Sequence, residues 1–195
     1  MSYATYITEA LVCGGYHRNG ADRTFTLFTK DFGLIQAEAK SVREERSRQR
    51  FALQDFSRIK VALVKGKTGW RIGSVEVVKN DFTASPNRAV RTSVVKLYRL
   101  LRRFIHGQEI QPELFKTCWQ VLDNLSTNAP SDAVSPAVDA VIELRLLEYL
   151  GYIDSTAVPK DTPKLSKLTL NNEDNFEWLP PVRDLVAQAY KESHL

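Results

Sequence analysis

From Thr5 to Lys79 apolar and polar residues alternate in short runs broken by turn residues, and beyond Pro86 the apolar residues recur at every third or fourth position instead. Alternation places successive side chains on opposite faces of a strand, whereas the longer period lays them along one face of a helix. Five strand-like runs can be drawn: Tyr6–Tyr16, Arg23–Lys30, Leu34–Lys40, Phe56–Lys65 and Trp70–Lys79. In the third, Ile35, Ala37 and Ala39 alternate with Gln36, Glu38 and Lys40, and in the fourth Ile59, Val61 and Leu63 share a face, so each strand has one buried and one wet side. Asp31-Phe32-Gly33 and Gly66-Lys67-Thr68-Gly69 supply hairpin turns, and Ser41–Asp55 is the long connection. Five short antiparallel strands with a longer link between the third and fourth predict a small closed barrel of the OB type, with an SH3-like barrel as the competing assignment. Closure removes sheet edges that would otherwise be open to aggregation.

The helical half begins with Asn87–His106, where Val90, Val94, Leu97, Leu101 and Phe104 form a narrow apolar stripe. At 100° per residue Arg88, Arg91, Lys96, Arg99, Arg102 and Arg103 fall within an arc of roughly 140° on the other side. Pro112 opens a second helix over Glu113–Leu125, since proline is tolerated in a first helical turn. A third runs from Pro136 to Leu150, apolar over so wide an arc that it belongs in the centre of a bundle, and Gly151 ends it. Residues 154–179 read as loop with at most one short element, and Pro180–Lys191 as a final helix. The fold class expected is therefore α+β, a five-stranded OB barrel at 1–80 followed by a helical domain at 81–195.

Charge sharpens this division. Residues 1–107 carry 20 Lys and Arg against 9 Asp and Glu, while residues 108–195 carry 7 against 14. The basic surplus concentrates in Lys40–Arg50 and in the stretch from Phe82 to Gln108, which has no acid at all. Six cations on one helical face without an acid at i±4 repel one another by a few tenths of a kcal/mol per pair, so something must offset them. A polyphosphate would do so, and acids of the second half such as Glu143 or Glu148 packing against the helix would also do so.

Catalytic chemistry is sparse. There is no P-loop, Gly-x-Ser-x-Gly or His-Glu-x-x-His motif, and the carboxylate pairs Glu44-Glu45 and Glu173-Asp174 are adjacent rather than convergent. Cys13 and Cys118 are far apart and read as small core hydrophobes, and His17, His106 and His194 have no neighbour at metal-ligand spacing, so neither a metal nor a catalytic set is expected. The opening MSYATYITEA lacks the basic start and apolar block of a signal peptide, and no run of 18 apolar residues is present, so the expectation is a cytoplasmic protein without a membrane partner. Binding of single strands pairs cations with aromatic platforms, for which Phe25, Phe28, Phe32 and Trp70 are candidates, although core packing is the commoner fate of each.

The run from Gly20 to Ile35 (GADRTFTLFTKDFGLI), followed by Ala39-Lys40 and an Arg-rich loop, resembles the amino-terminal OB domain of the RecO family of bacterial recombination mediators. Phe51–Ser57 (FALQDFS) is similar to that family's approach to the fourth strand, and Ile142–Tyr152 (IELRLLEYLGY) to the helix crossing its carboxy-terminal domain. The resemblance implies a non-enzymatic DNA repair protein without a cofactor that binds single- and double-stranded DNA, anneals complementary strands and assists recombinase loading on coated DNA. Its implied partners are a RecR-like protein and the acidic C-terminal tail of single-strand-binding protein. The DNA-binding residues carried over are Arg23, Lys40, Arg43, Arg46, Arg48 and Arg50. Arg99, Arg102 and Arg103 join them from the helical face rather than from the family. Many members carry a four-cysteine zinc motif after the Gly-Tyr pair, whereas residues 153–179 here contain no cysteine, and the chain is short for the family. Two other readings stand beside this one, an adaptor whose basic face receives an acidic peptide and an RNA-associated OB protein.

Overall fold

Strand alternation in the first eighty residues resolves into β1 (Thr5–His17), β2 (Arg23–Thr29), β3 (Gly33–Ala39), β4 (Ser57–Gly66) and β5 (Gly69–Asn80) of a closed barrel. The computed structural model describes residues 4–17, 20–44, 47–132, 134–165 and 176–193. Strand order around the barrel is β1-β2-β3-β5-β4, back to β1. β1 pairs antiparallel with both β2 and β4, while β3 and β5 meet in a parallel seam at Ala37↔Trp70 and Glu38↔Arg71. This is the five-stranded topology of an OB barrel. A bulge between Val12 and Gly14 lets β1 bend far enough to serve both neighbours, and Gly14 sits at a φ of 146°.

Inward residues fill the barrel: Val12, Leu27, Ile35, Ile59, Val61 and Leu63 are among its fully buried side chains. Each such residue contributes roughly 1.5–3 kcal/mol of burial. The β2–β3 turn is closed by Thr29, whose hydroxyl accepts from Phe32 N at 3.0 Å and donates to Gly33 O at 2.9 Å. Gly33 has a φ of 65°, and a Cβ there would lie 2.2 Å from Glu109 O. Only glycine permits that approach.

Two compact units divide the chain, the described residues of 1–84 with 106–115, and those of 85–105 with 116–193. The second contains α2 (Arg88–Phe104), most of α3 (Pro112–Thr127), α4 (Ser135–Tyr149) and α5 (Leu179–Glu192). Asn87 caps α2 by accepting from Val90 N at 2.9 Å, satisfying one of the helix's orphan donors. Almost the whole circumference of α4 is buried, from Ala137 through Leu147, which makes it the centre of this unit. It ends in a Schellman turn: Tyr152 N donates to Leu147 O at 2.9 Å with Gly151 at a φ of 78°. Arg145 of this helix donates to the carbonyls of Thr162 (2.8 Å) and Pro163 (3.1 Å), tying down the segment that follows the 3-10 turn at Ser155–Ala157. Among the described residues no helix is long and apolar enough to cross a membrane.

Candidate nucleic-acid interface

The long connection between β3 and β4 is not a free loop. Ser41 N donates to Asp22 Oδ1 at 2.8 Å, Arg43 N to Ala21 O at 3.2 Å, and Arg43 Nη1 to Gly20 O at 3.1 Å. Val42 and Leu53 are buried in the barrel core, so the connection is pinned near both ends by apolar plugs. Between them lies α1 (Gln49–Ala52), a single turn whose Gln49 amide donates to Gly73 O at 2.8 Å and whose Ala52 is buried. Fewer than eight residues leave no helical period to read, which is why the sequence pattern predicts only a loop here.

A cleft of about 530 Å³ opens between this connection and the start of β2. Phe25, Val42 and Leu53 form its apolar floor; Arg23, Arg43, Arg50 and His17 stand in its wall with Phe51. Asp55 is the one acid among the described lining residues. Phe25 takes its place because its cross-strand partner is Gly15: a Cβ on Gly15 would come within 2.9 Å of the ring. The Arg23 guanidinium stacks over Phe25 at 5.1 Å and donates to Gly15 O at 3.3 Å.

Of the sequence-predicted cations, then, Arg23, Arg43 and Arg50 converge on one cleft, and Lys40 and Arg48 are exposed beside it in the chain. Arg46 lies outside the described residues. The aromatic candidates behave otherwise. Phe25, Phe28 and Trp70 are core residues, and Phe32 is half-buried in a ring cluster with Tyr6 (5.4 Å) and Trp70 (4.9 Å). The exposed aromatic that lines the cleft is one that strand patterning passes over: Phe51, 62 % exposed, with the Arg50 guanidinium over its ring at 4.8 Å. Its signal in the sequence is an aromatic standing among arginines between two predicted strands.

In the helical unit Arg88, Arg91, Arg99, Arg102 and Arg103 are exposed along α2. Lys96 is the exception. Its ammonium is 2.6 Å from Asp139 Oδ2 and 4.0 Å from Glu143 Oε1, while Asp139 also accepts from the buried Ser93 hydroxyl. Acids of the second half therefore neutralise Lys96; Glu148 pairs with Arg145 at 2.8 Å. Burial holds the Glu143 carboxyl above its ordinary range, Lys96 pulling the other way and Asp139 adding to the rise. Tyr190 is pushed up to about 12 by burial and by the Glu143 charge, with Arg103 opposing. Arg103 lies over the Tyr190 ring at 4.7 Å, which holds its guanidinium at the helix surface. Among the described residues no group of three or more His, Cys, Asp or Glu is placed to hold a metal ion.

Comparison with known proteins follows the same division. The model of the N-terminal domain of recombination protein O matches residues 1–80, and that of its C-terminal domain matches residues 92–154. A DNA repair protein RecO of Heliobacterium modesticaldum is 32% identical over 196 residues, covering 97% of this chain and 67% of the relative. The corresponding protein of Desulfitobacterium hafniense is 32% identical over 150 residues (75% of this chain, 52% of the relative), and that of Myxococcus xanthus 27% over 148 residues (75% and 59%). The chain thus spans only about half the length of some of the curated relatives it matches.

Proposed function

Since this chain belongs to the RecO family of recombination proteins, we propose that it is a non-enzymatic DNA repair protein of the cytoplasm that binds single- and double-stranded DNA and promotes annealing of complementary strands. The observation that carries the reading is the convergence of Arg23, Arg43 and Arg50 on one cleft of the barrel beside the exposed Phe51 ring, with Lys40 and Arg48 exposed nearby in the chain. Cations paired with aromatic surface are what a phosphate backbone with unpaired bases requires. In this reading residues 1–80 act as the OB domain and 81–195 as the helical domain. Arg99, Arg102 and Arg103 form a second cationic surface on α2. Screening of two phosphate backbones lowers their mutual repulsion, so complementary strands can pair without the protein reading their sequence. A RecR-like protein and the acidic C-terminal tail of single-strand-binding protein are its partners in loading recombinase, and it uses no cofactor.

The test is a salt series. Four exposed barrel cations, Lys40, Arg43, Arg48 and Arg50, neutralising phosphates of a single strand give a slope of roughly −2.8 in log K against log salt, or about a hundredfold loss between ~50 and ~300 mM. Reversing Arg43, Arg48 and Arg50 to Glu should abolish binding to DNA, and affinity that does not change with salt would remove the mechanism. A second reading is favoured by the exposed Arg99, Arg102 and Arg103: α2 receives an acidic peptide. Under it, reversing these three removes competition by an acidic-tail peptide while barrel-mediated DNA binding persists. RNA of equal length competing as well as DNA would point to an RNA-associated protein instead.

A further inference from the structure

We propose that the cleft bounded by α1 is a pocket for one unpaired nucleobase, stacked on Phe51, and that this pocket makes the barrel selective for single strands. The proposal rests on the DNA-binding reading above and adds to it the chemical group that enters the cleft.

Exposure of one phenylalanine is ordinary by itself, because folded proteins leave many apolar atoms in water. Three features set Phe51 apart. The residue is 62 % exposed, yet it is carried on a turn held from both sides, by the Gln49–Gly73 hydrogen bond and by buried Ala52 and Leu53. The ring is thus presented at a fixed place rather than on a moving loop. Its face is already engaged by a planar cation, Arg50, at 4.8 Å. A guanidinium and a nucleobase are both flat groups that lie against an aromatic ring, so a base can take the position Arg50 holds in the free protein while the guanidinium swings to the adjoining phosphate. Finally, Phe51 stands beside a floor of Phe25, Val42 and Leu53 with Arg23 and Arg43 in the wall. Apolar floor and cationic wall match a base joined to its phosphate. The volume of about 530 Å³ lies within the range of small-ligand pockets.

An acidic peptide would use the arginines but leave the exposed Phe51 ring idle. A duplex would use the arginines too, but its bases are stacked inside the helix and present no free face. A single strand satisfies both halves of the cleft. Replacing Phe51 therefore affects one nucleic-acid form and not the other, whereas replacing the arginines affects both.

The experiment uses the full chain with Phe51→Ala, Phe51→Leu and Phe51→Trp, titrated against a single-stranded oligonucleotide, its duplex, and a single strand carrying 2-aminopurine, whose emission is quenched on stacking. Phe51→Ala and Phe51→Leu are expected to weaken single-strand binding by about 5- to 150-fold, the range for loss of one stacked base. Duplex affinity and the salt slope should not change, and Phe51→Trp should restore binding. 2-Aminopurine quenching should occur with the wild type and disappear with Phe51→Ala. Unchanged single-strand affinity in Phe51→Ala, or equal loss for single strand and duplex, overturns the pocket. If the arginine reversals abolish DNA binding while Phe51→Ala does not, the pocket alone fails. If the wild type binds neither form, the DNA-binding reading fails with it.

Discussion

Arg58 is the largest fully buried side chain among the described residues, and its guanidinium lies 3.0 Å from Asp81 Oδ1 with only 2 % and 1 % of the two side chains exposed. The pair joins β4 to the residue following β5, and Asp81 N donates to Phe56 O at 3.0 Å. Asp81→Asn keeps the shape but removes the carboxylate charge that faces a buried guanidinium, a loss that costs about 3–5 kcal/mol. Small domains have only ~5–15 kcal/mol in total, so the barrel should be close to unfolding. At about 4–8 °C per kcal/mol the melting temperature should fall by roughly 12–40 °C. The exposed pair Lys30–Glu9 at 3.2 Å serves as the control, because Glu9→Gln should cost at most ~1 kcal/mol. The double change Arg58→Met with Asp81→Leu should recover most of the loss, since an apolar pair needs no desolvation of charge. Urea titration in a Trp119→Phe, Trp178→Phe background, read by emission from Trp70 in the barrel core, isolates the relevant unit. A cost below about 1 kcal/mol for Asp81→Asn at unchanged m-value, or a double variant no better than the single one, would refute the reasoning.

Gly33→Ala should destabilise the barrel by ~3 kcal/mol or more, combining left-handed φ with a clash against Glu109 O, while Gly20→Ala, at φ 58° with nothing within 4 Å, should cost about 1–2 kcal/mol; denaturant midpoints compare the two. Because burial raises the Glu143 carboxyl above 4.5, the native state favours its protonated form. That contribution is fully present below the ordinary value and is lost as pH rises through the folded one, so Glu143→Gln should remove the decline in a stability-versus-pH series. Tyr190 follows the same sign at the alkaline end, with stability present below pH 10 and lost as pH rises towards about 12. Tyr190→Phe should abolish that loss, and Glu143→Gln should move the Tyr190 phenolate absorbance step downward.

Local patterning made the barrel legible: Ile35, Ala37 and Ala39 alternate as a half-buried strand must, and Gly33 and Gly69 mark the hairpin ends. The breadth of the apolar arc on α4 likewise announced its central position. What stayed hidden depends on partners distant in sequence. Arg58 reads as one more surface cation because its counter-charge is 23 residues away, and Lys96 reads as part of a bare cationic face because Asp139 arrives from another helix. The basic connection was recognisable from composition, but not its attachment to the barrel, which rests on side-chain plugs and one four-residue turn. Phe51 is hidden for the opposite reason: apolar residues are assigned inward by default, and the arginines beside it are the one local sign that it faces water.

The parallel seam between β3 and β5 has a mechanical consequence. Register there extends over Ala37↔Trp70 and Glu38↔Arg71, against ten pairs from Ser57↔Asn80 to Gly66↔Gly69 in the adjoining β4–β5 ladder. A closed sheet under tension parts at its shortest ladder, so thermal breathing of this barrel concentrates at the seam. Amide protons along it should exchange with solvent ahead of those in β4, and pulling apart the ends of the barrel should unzip it there first.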